Sequence, residues 1–111
     1  MKIVRKSEGT PYEAPFHFNV WSTRKLGADK DTKNTSISLS HFQPNGRCDM
    51  SGSPVEKVYF VLAGSMAVKN KAGEEATLQA GDIVYFAGGE ERECHTVGTD
   101  VCTILVCMVK V

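Results

Sequence analysis

The sequence predicts an all-β protein, an antiparallel double-stranded β-helix or jelly-roll barrel. Three observations predict it. Strand-like runs rich in Val, Ile, Thr, Tyr and Phe recur at roughly 8 to 12 residue spacing with turn residues between them. No apolar periodicity of the helical kind lasts beyond one turn. The chain has 111 residues, which suits one domain (1–111) that buries roughly 65% of its unfolded surface, enough for a single closed barrel.

Residues 1–15 carry Gly9, Pro11 and Pro15 and read as an N-terminal arm with a short edge strand at 2–6. In residues 16–26, Phe16, Phe18 and Val20 alternate with His17, Asn19 and Trp21, which predicts a strand with one buried face. Residues 27–34 are charged and loop-like. Residues 35–42 form a second strand, with Ile37, Leu39 and His41 on one face and Ser38, Ser40 and Phe42 on the other. The apolar set is expected to face the interior, which turns His41 inward. Gln43, Pro44, Asn45 and Gly46 are expected to end this strand in a turn, followed by an irregular loop over 47–54.

The central strand lies in residues 56–63, between Pro54 and Gly64. Successive side chains alternate, so Lys57, Tyr59 and Val61 share one face and Glu56, Val58, Phe60 and Leu62 the other. Beyond it, residues 65–69 and 74–78 read as a hairpin closed by Asn70, Lys71, Ala72 and Gly73. Strands are then expected at 83–86, 92–97 and 101–109, with turns at 79–82 and 98–100.

Thirteen basic and thirteen acidic residues give zero formal charge, so no basic stripe argues for nucleic acid. No run approaches the roughly 18 apolar residues of a membrane span, and the N-terminal residues lack the apolar core of a secretory signal. The expected setting is cytoplasmic, with no membrane partner. Cys48, Cys94, Cys102 and Cys107 show no Cys-x-x-Cys pairing and are expected to be reduced.

Glu56 to Ser65, followed by Leu78 to Gly89 with Gly81 and Gly89 in place, resembles the two halves of the cupin signature over roughly residues 37–109. In that family the first motif carries His-x-His and a Glu before its closing glycine, and the second carries a Pro, a His and an Asn. Counting back from Gly64 puts Lys57 on the Glu position and Ser51 and Ser53 on the two His positions. Arg92 falls on the His of the second motif, Ala87 on the Pro and Thr96 on the Asn. The scaffold matches while all four metal-ligand positions depart from the pattern, so no metal and no other cofactor is expected. The resemblance also implies a homodimer, for which the 16–26 strand with Trp21 is the candidate contact.

Lys57 is the sharpest candidate for chemistry. An ammonium inside a barrel binds an anion, takes a proton with a lowered pKa, or condenses with a carbonyl. The bland alternative is a lysine at the barrel mouth whose amine reaches water. Arg92 is its natural companion, able to clamp a carboxylate, with a salt bridge to a neighbouring glutamate as the alternative. An insertion within 90–93 would turn His95 rather than Arg92 inward, so Cys94 and His95 both stay candidates for substrate contact. His41 is a candidate proton shuttle; Ser53, Tyr59 and Tyr85 are candidate substrate contacts. The expected function is metal-independent binding of a small anionic organic molecule, with isomerase, lyase or decarboxylase chemistry through Lys57. The alternatives are a non-catalytic binding protein and an atypical metal-dependent enzyme.

Overall fold

The computed structural model describes residues 1–110. Nine strands follow one another: β1 (Thr10–Tyr12), β2 (His17–Leu26), β3 (Thr35–Ser51), β4 (Glu56–Ala63), β5 (Ser65–Asn70), β6 (Glu75–Gln79), β7 (Ile83–Phe86), β8 (Arg92–Thr96) and β9 (Cys102–Val109). They pair in the order β6-β5-β8-β3-β9-β4-β7, with β2 on β3 and β1 on β2. Every paired register is antiparallel. This is the all-β jelly-roll arrangement the strand spacing predicts. Among the described residues no helix is long and apolar enough to cross a membrane.

The long β3 departs from expectation. Residues 43–46 do not end the strand; it bends there, with Asn45 at φ 66°. Residues 35–42 pair with β9 and residues 47–51 with β8, so β3 passes from one half of the barrel to the other. The bend is held from inside: Thr96 Oγ1 donates to Gln43 O at 2.8 Å and to Gly46 O at 3.4 Å. Asn19 on β2 answers the bend with φ 55° and a register shift between Phe18 and Val20. That bulge breaks the alternation read from the sequence. Phe16 and Phe18 are exposed, while Val20 and Ser22 turn inward beside Phe42 and Ser40 and Trp21 stays on the outer face. The edge strand expected at 2–6 forms at Thr10–Tyr12, where the strand is paired on one side only and Pro11 is tolerated.

The polarity of β3 is also the reverse of the reading. Ser36, Ser38, Ser40 and Phe42 are buried, while Ile37, Leu39 and His41 are half-buried on the outer face. Serines line the interior because each is satisfied. Ser36 Oγ accepts from Ala28 N at 3.0 Å, Ser38 Oγ from Arg24 Nε at 3.0 Å, and Ser40 Oγ lies 2.8 Å from Ser22 Oγ. The outer face is apolar as well: Leu39 stands beside Leu105, Leu105 beside Phe60, and Phe60 beside Ile83. With apolar residues on both sides of the sheet, alternation marks the faces but not which one is inside.

The core combines Phe42, Cys48, Val61, Met66, Val68, Leu78, Phe86, Cys94, Cys102 and Ile104. Gly64 locks the β4–β5 junction, with φ 78° and a site where a Cβ would lie 2.5 Å from Val101 O. Only glycine fits so close an approach at positive φ.

Candidate functional site

A cavity of about 330 Å³ opens at one end of the barrel. Lys57 and Tyr59 reach it from β4, Arg92 from β8, Ser51 and Ser53 from the end of β3 and the loop after it. Phe42, Ile104, Val106 and Met108 form an apolar wall, and the arm closes the mouth with Tyr12 and the 14–17 segment. The loops of the site hold each other by backbone: Gly89 N donates to Ser53 O at 2.7 Å. Gly88 approaches so closely that a Cβ there would lie 2.7 Å from Pro54 O.

Arg92 is 4% exposed and its guanidinium is almost fully engaged. Nε and Nη2 donate to Tyr59 Oη at 3.1 and 2.7 Å; Nη1 donates to Ser51 O at 2.9 Å and Ser51 Oγ at 3.0 Å. Of the five N–H groups of a guanidinium, one on Nη2 is left. None of its partners is a carboxylate. Burial pushes the Tyr59 hydroxyl far up, so Tyr59 is a neutral phenol that accepts from Arg92 and keeps its own proton.

Lys57 is 7% exposed, flanked across the sheet by Met108 and Phe86. Among the described residues neither Lys57 nor Arg92 takes part in an ion pair. Burial first, and then the charge of Arg92, bring the Lys57 ammonium down to about 8. Ser53 Oγ is buried without a hydrogen-bond partner among the described residues.

Behind Arg92, Cys48 and Cys94 face each other across β3 and β8. The neighbouring Cys94 thiol, with His17 and Arg92 beside it, draws Cys48 below the usual thiol range, and Cys48 together with burial pushes Cys94 above it. Cys48 Sγ donates to Asp49 O at 3.4 Å. Its Sγ lies 3.8 Å from Ser51 Oγ.

The structure thus brings Lys57, Arg92, Tyr59 and Ser53 to one cavity and places the other candidates elsewhere. His41 lies on the outer face of β3, its Nδ1 3.0 Å from Thr103 Oγ1, because the serine face of the strand is the inner one. Tyr85 is exposed on β7 and donates to Glu56 Oε1 at 2.8 Å, so neither residue reaches the cavity. Strict alternation along β8 buries Arg92, Cys94 and Thr96 and leaves His95 exposed, with no insertion to shift the phase. Cys94 is inside but packs on Cys48 rather than lining the cavity. Sequence reasoning missed Arg24, Tyr12 and Phe42. Arg24 lines the cavity with its guanidinium 4.5 Å from the Tyr12 ring centroid. Arg24 shares the inner face of Val20 and Ser22, and the positive-φ tolerance of Asn19 was the available signal for the phase change that puts His17 rather than Phe18 inside.

A Cupin domain family model matches residues 38–108. The chain belongs to the cupin family. This cupin is 34% identical over 96 residues to a β-D-galactosidase of Mycobacterium tuberculosis, spanning 86% of this chain and 82% of that protein. Among solved structures, the predicted oxalate decarboxylase of Thermotoga maritima superposes with a TM-score of 0.85 at 17% identity, covering 99% of this chain and 100% of that one. The polyketide cyclase RemF of Streptomyces resistomycificus gives 0.84 at 19% identity, covering 98% and 79%. These structural likenesses carry the fold alone.

The metals associated with cupins do not fit the donor set of this one. The family's ligand positions hold Ser51, Ser53, Lys57 and Arg92, and the two cations would repel a metal ion. Among the described residues no three His, Cys, Asp or Glu side chains converge as a metal site requires.

Proposed function

We propose that this cupin binds a small organic anion, a carboxylate or an enolate, in its cavity without a metal. Lys57 and Arg92 form the cationic wall, and Lys57 serves as base or oxyanion stabiliser in lyase- or isomerase-type proton transfer. One observation carries the reading: two buried cations line one cavity with no carboxylate partner among the described residues. A buried charge is costly unless it is paired. An anionic ligand supplies the missing charge. With Lys57 near 8, roughly a tenth of the amine is neutral at pH 7, enough for general-base work.

The test is calorimetric titration of small carboxylates together with solvent deuterium exchange of their α-protons followed by NMR. Wild type is expected to bind and exchange, and Lys57→Ala to lose exchange while binding weakens about ten-fold. Binding without exchange in wild type supports the non-catalytic alternative. No binding of any carboxylate overturns the proposal.

A second reading comes from the Mycobacterium tuberculosis relative: hydrolysis of a β-galactoside. Glycoside hydrolysis ordinarily employs two carboxylates on either side of the bond. Among the described residues no Asp or Glu lines this cavity, which favours the anion-binding reading. Release of nitrophenol from an aryl β-D-galactoside, lost in Lys57→Ala, would reverse that preference.

A further inference from the structure

We propose that Lys57 is a Schiff-base nucleophile that captures the carbonyl carbon of an aromatic or otherwise apolar 2-oxo acid, an inference that rests on the anion-binding reading above. The cavity presents the three contacts such a molecule needs. Its body meets Phe42, Ile104, Val106 and Met108, and a volume of about 330 Å³ admits a single ring with a short side chain. Its carboxylate meets the remaining Nη2 hydrogen of Arg92. Its carbonyl oxygen meets hydroxyls free to donate: Ser53 Oγ has no partner among the described residues, and Tyr59 Oη accepts twice from Arg92 with its proton uncommitted.

Lys57 is flanked across the sheet by Met108 and Phe86, and no carboxylate among the described residues pairs with it. Desolvation of this kind is a recognised way to activate a lysine toward carbonyls. Neutral Nζ attacks the carbonyl carbon, and the carbonyl π pair moves to oxygen, which takes up a proton to give a carbinolamine. Nitrogen gives up two hydrogens in all, oxygen leaves with them as water, and the C=N bond forms. Amine and 2-oxo acid become imine and water, with no oxidant or reductant involved. The imine then serves as an electron sink for loss of a proton from C3 of substrates that carry one, the carboxylate on the imine carbon being retained as the anchor.

The probe is benzoylformate with cyanoborohydride, read by intact mass and peptide mapping. The expected result is one reduced adduct per chain, on Lys57, formed at least ten-fold faster than on any other lysine and faster as pH rises from 7 to 9. Benzaldehyde, which lacks the carboxylate, is expected to label Lys57 at least five-fold more slowly. Benzoate is titrated in parallel on wild type and Lys57→Arg. If benzoate binds but label spreads evenly over surface lysines, or none forms, the nucleophile assignment falls while anion binding stands. If neither benzoate nor benzoylformate engages the protein, both fall. Equal labelling by benzaldehyde overturns the 2-oxo acid class. The wild-type peptide map decides the outcome even where Lys57→Arg fails to fold.

Discussion

Arg92 gives two hydrogen bonds to a single atom, the phenolic oxygen of Tyr59, from Nε at 3.1 Å and Nη2 at 2.7 Å. Both residues are buried, 4% and 3% exposed, so the pair aims the guanidinium and prevents it from folding back against the wall. Replacing Tyr59 with Phe keeps the ring and its edge contact with Phe86, whose centroid lies 5.4 Å away, but strands two charged donors. Leaving buried donors of this kind unmade costs about 1–3 kcal/mol. Urea denaturation of Tyr59→Phe is expected to show that loss, and carboxylate titration a weaker affinity. Unchanged stability would mean that the guanidinium finds other acceptors.

Lys57 stands below its unfolded-state value at about 8. Between that pH and about 10.4 the unfolded chain holds a proton that the folded one has released, so folding is favoured as pH rises through this window. The penalty of the buried ammonium is fully present below pH 8 and is on the order of 3 kcal/mol. Lys57→Met, which keeps the apolar stem, is therefore expected to be more stable than ligand-free wild type at pH 6.5. The gap is expected to close by pH 10. Parallel denaturation midpoints at pH 6.5, 8 and 10 check it, and a gap that widens with pH would refute the assignment.

Cys48 is drawn below the usual thiol range beside Arg92, and to the extent that it ionises it favours the protonated form of Lys57 and competes with a bound anion. Cys48→Ser removes the acidic thiol with little change of shape. Ligand anions then face less competition, and benzoate is expected to bind about five-fold more tightly, equivalent to ~1 kcal/mol. Calorimetry of wild type and Cys48→Ser at pH 7 is the measurement; weaker binding in the variant would show that Cys48 is not charged in the folded protein.

Two glycines at positive φ separate strain from collision. Gly64 (φ 78°) has no room, with Val101 O only 2.5 Å from an added Cβ, whereas Gly73 (φ 94°) has nothing within 4 Å. Gly73→Ala is expected to cost ~1 kcal/mol from backbone strain alone. Gly64→Ala adds displacement of the β8–β9 turn and is expected to cost at least twice as much, read from urea midpoints at constant slope.

The sequence by itself determined the strand count to within one short edge element and the place of the turns at 70–73 and 79–82, because Gly, Asn and strand-forming runs act locally. It also carried the face of Lys57 and Tyr59 on β4, since Gly64 pins the register. Tertiary structure alone decided which side of β3 is inside. Ile37 and Leu39 look like a core face, but packed serines with partners from β2 line the interior, and the apolar set lies on an outer sheet face that is apolar too. The placing of His41 away from the cavity follows from that choice, and that of Tyr85 from the β4–β7 register, which sets Phe86 rather than Tyr85 beside Lys57. The bulge at Asn19, matched to the bend in β3, likewise decided that His17 enters the cavity while Phe18 faces outward. Alternation is a property of one strand, whereas inside and outside belong to the closed sheet, and only pairing between distant strands can settle them.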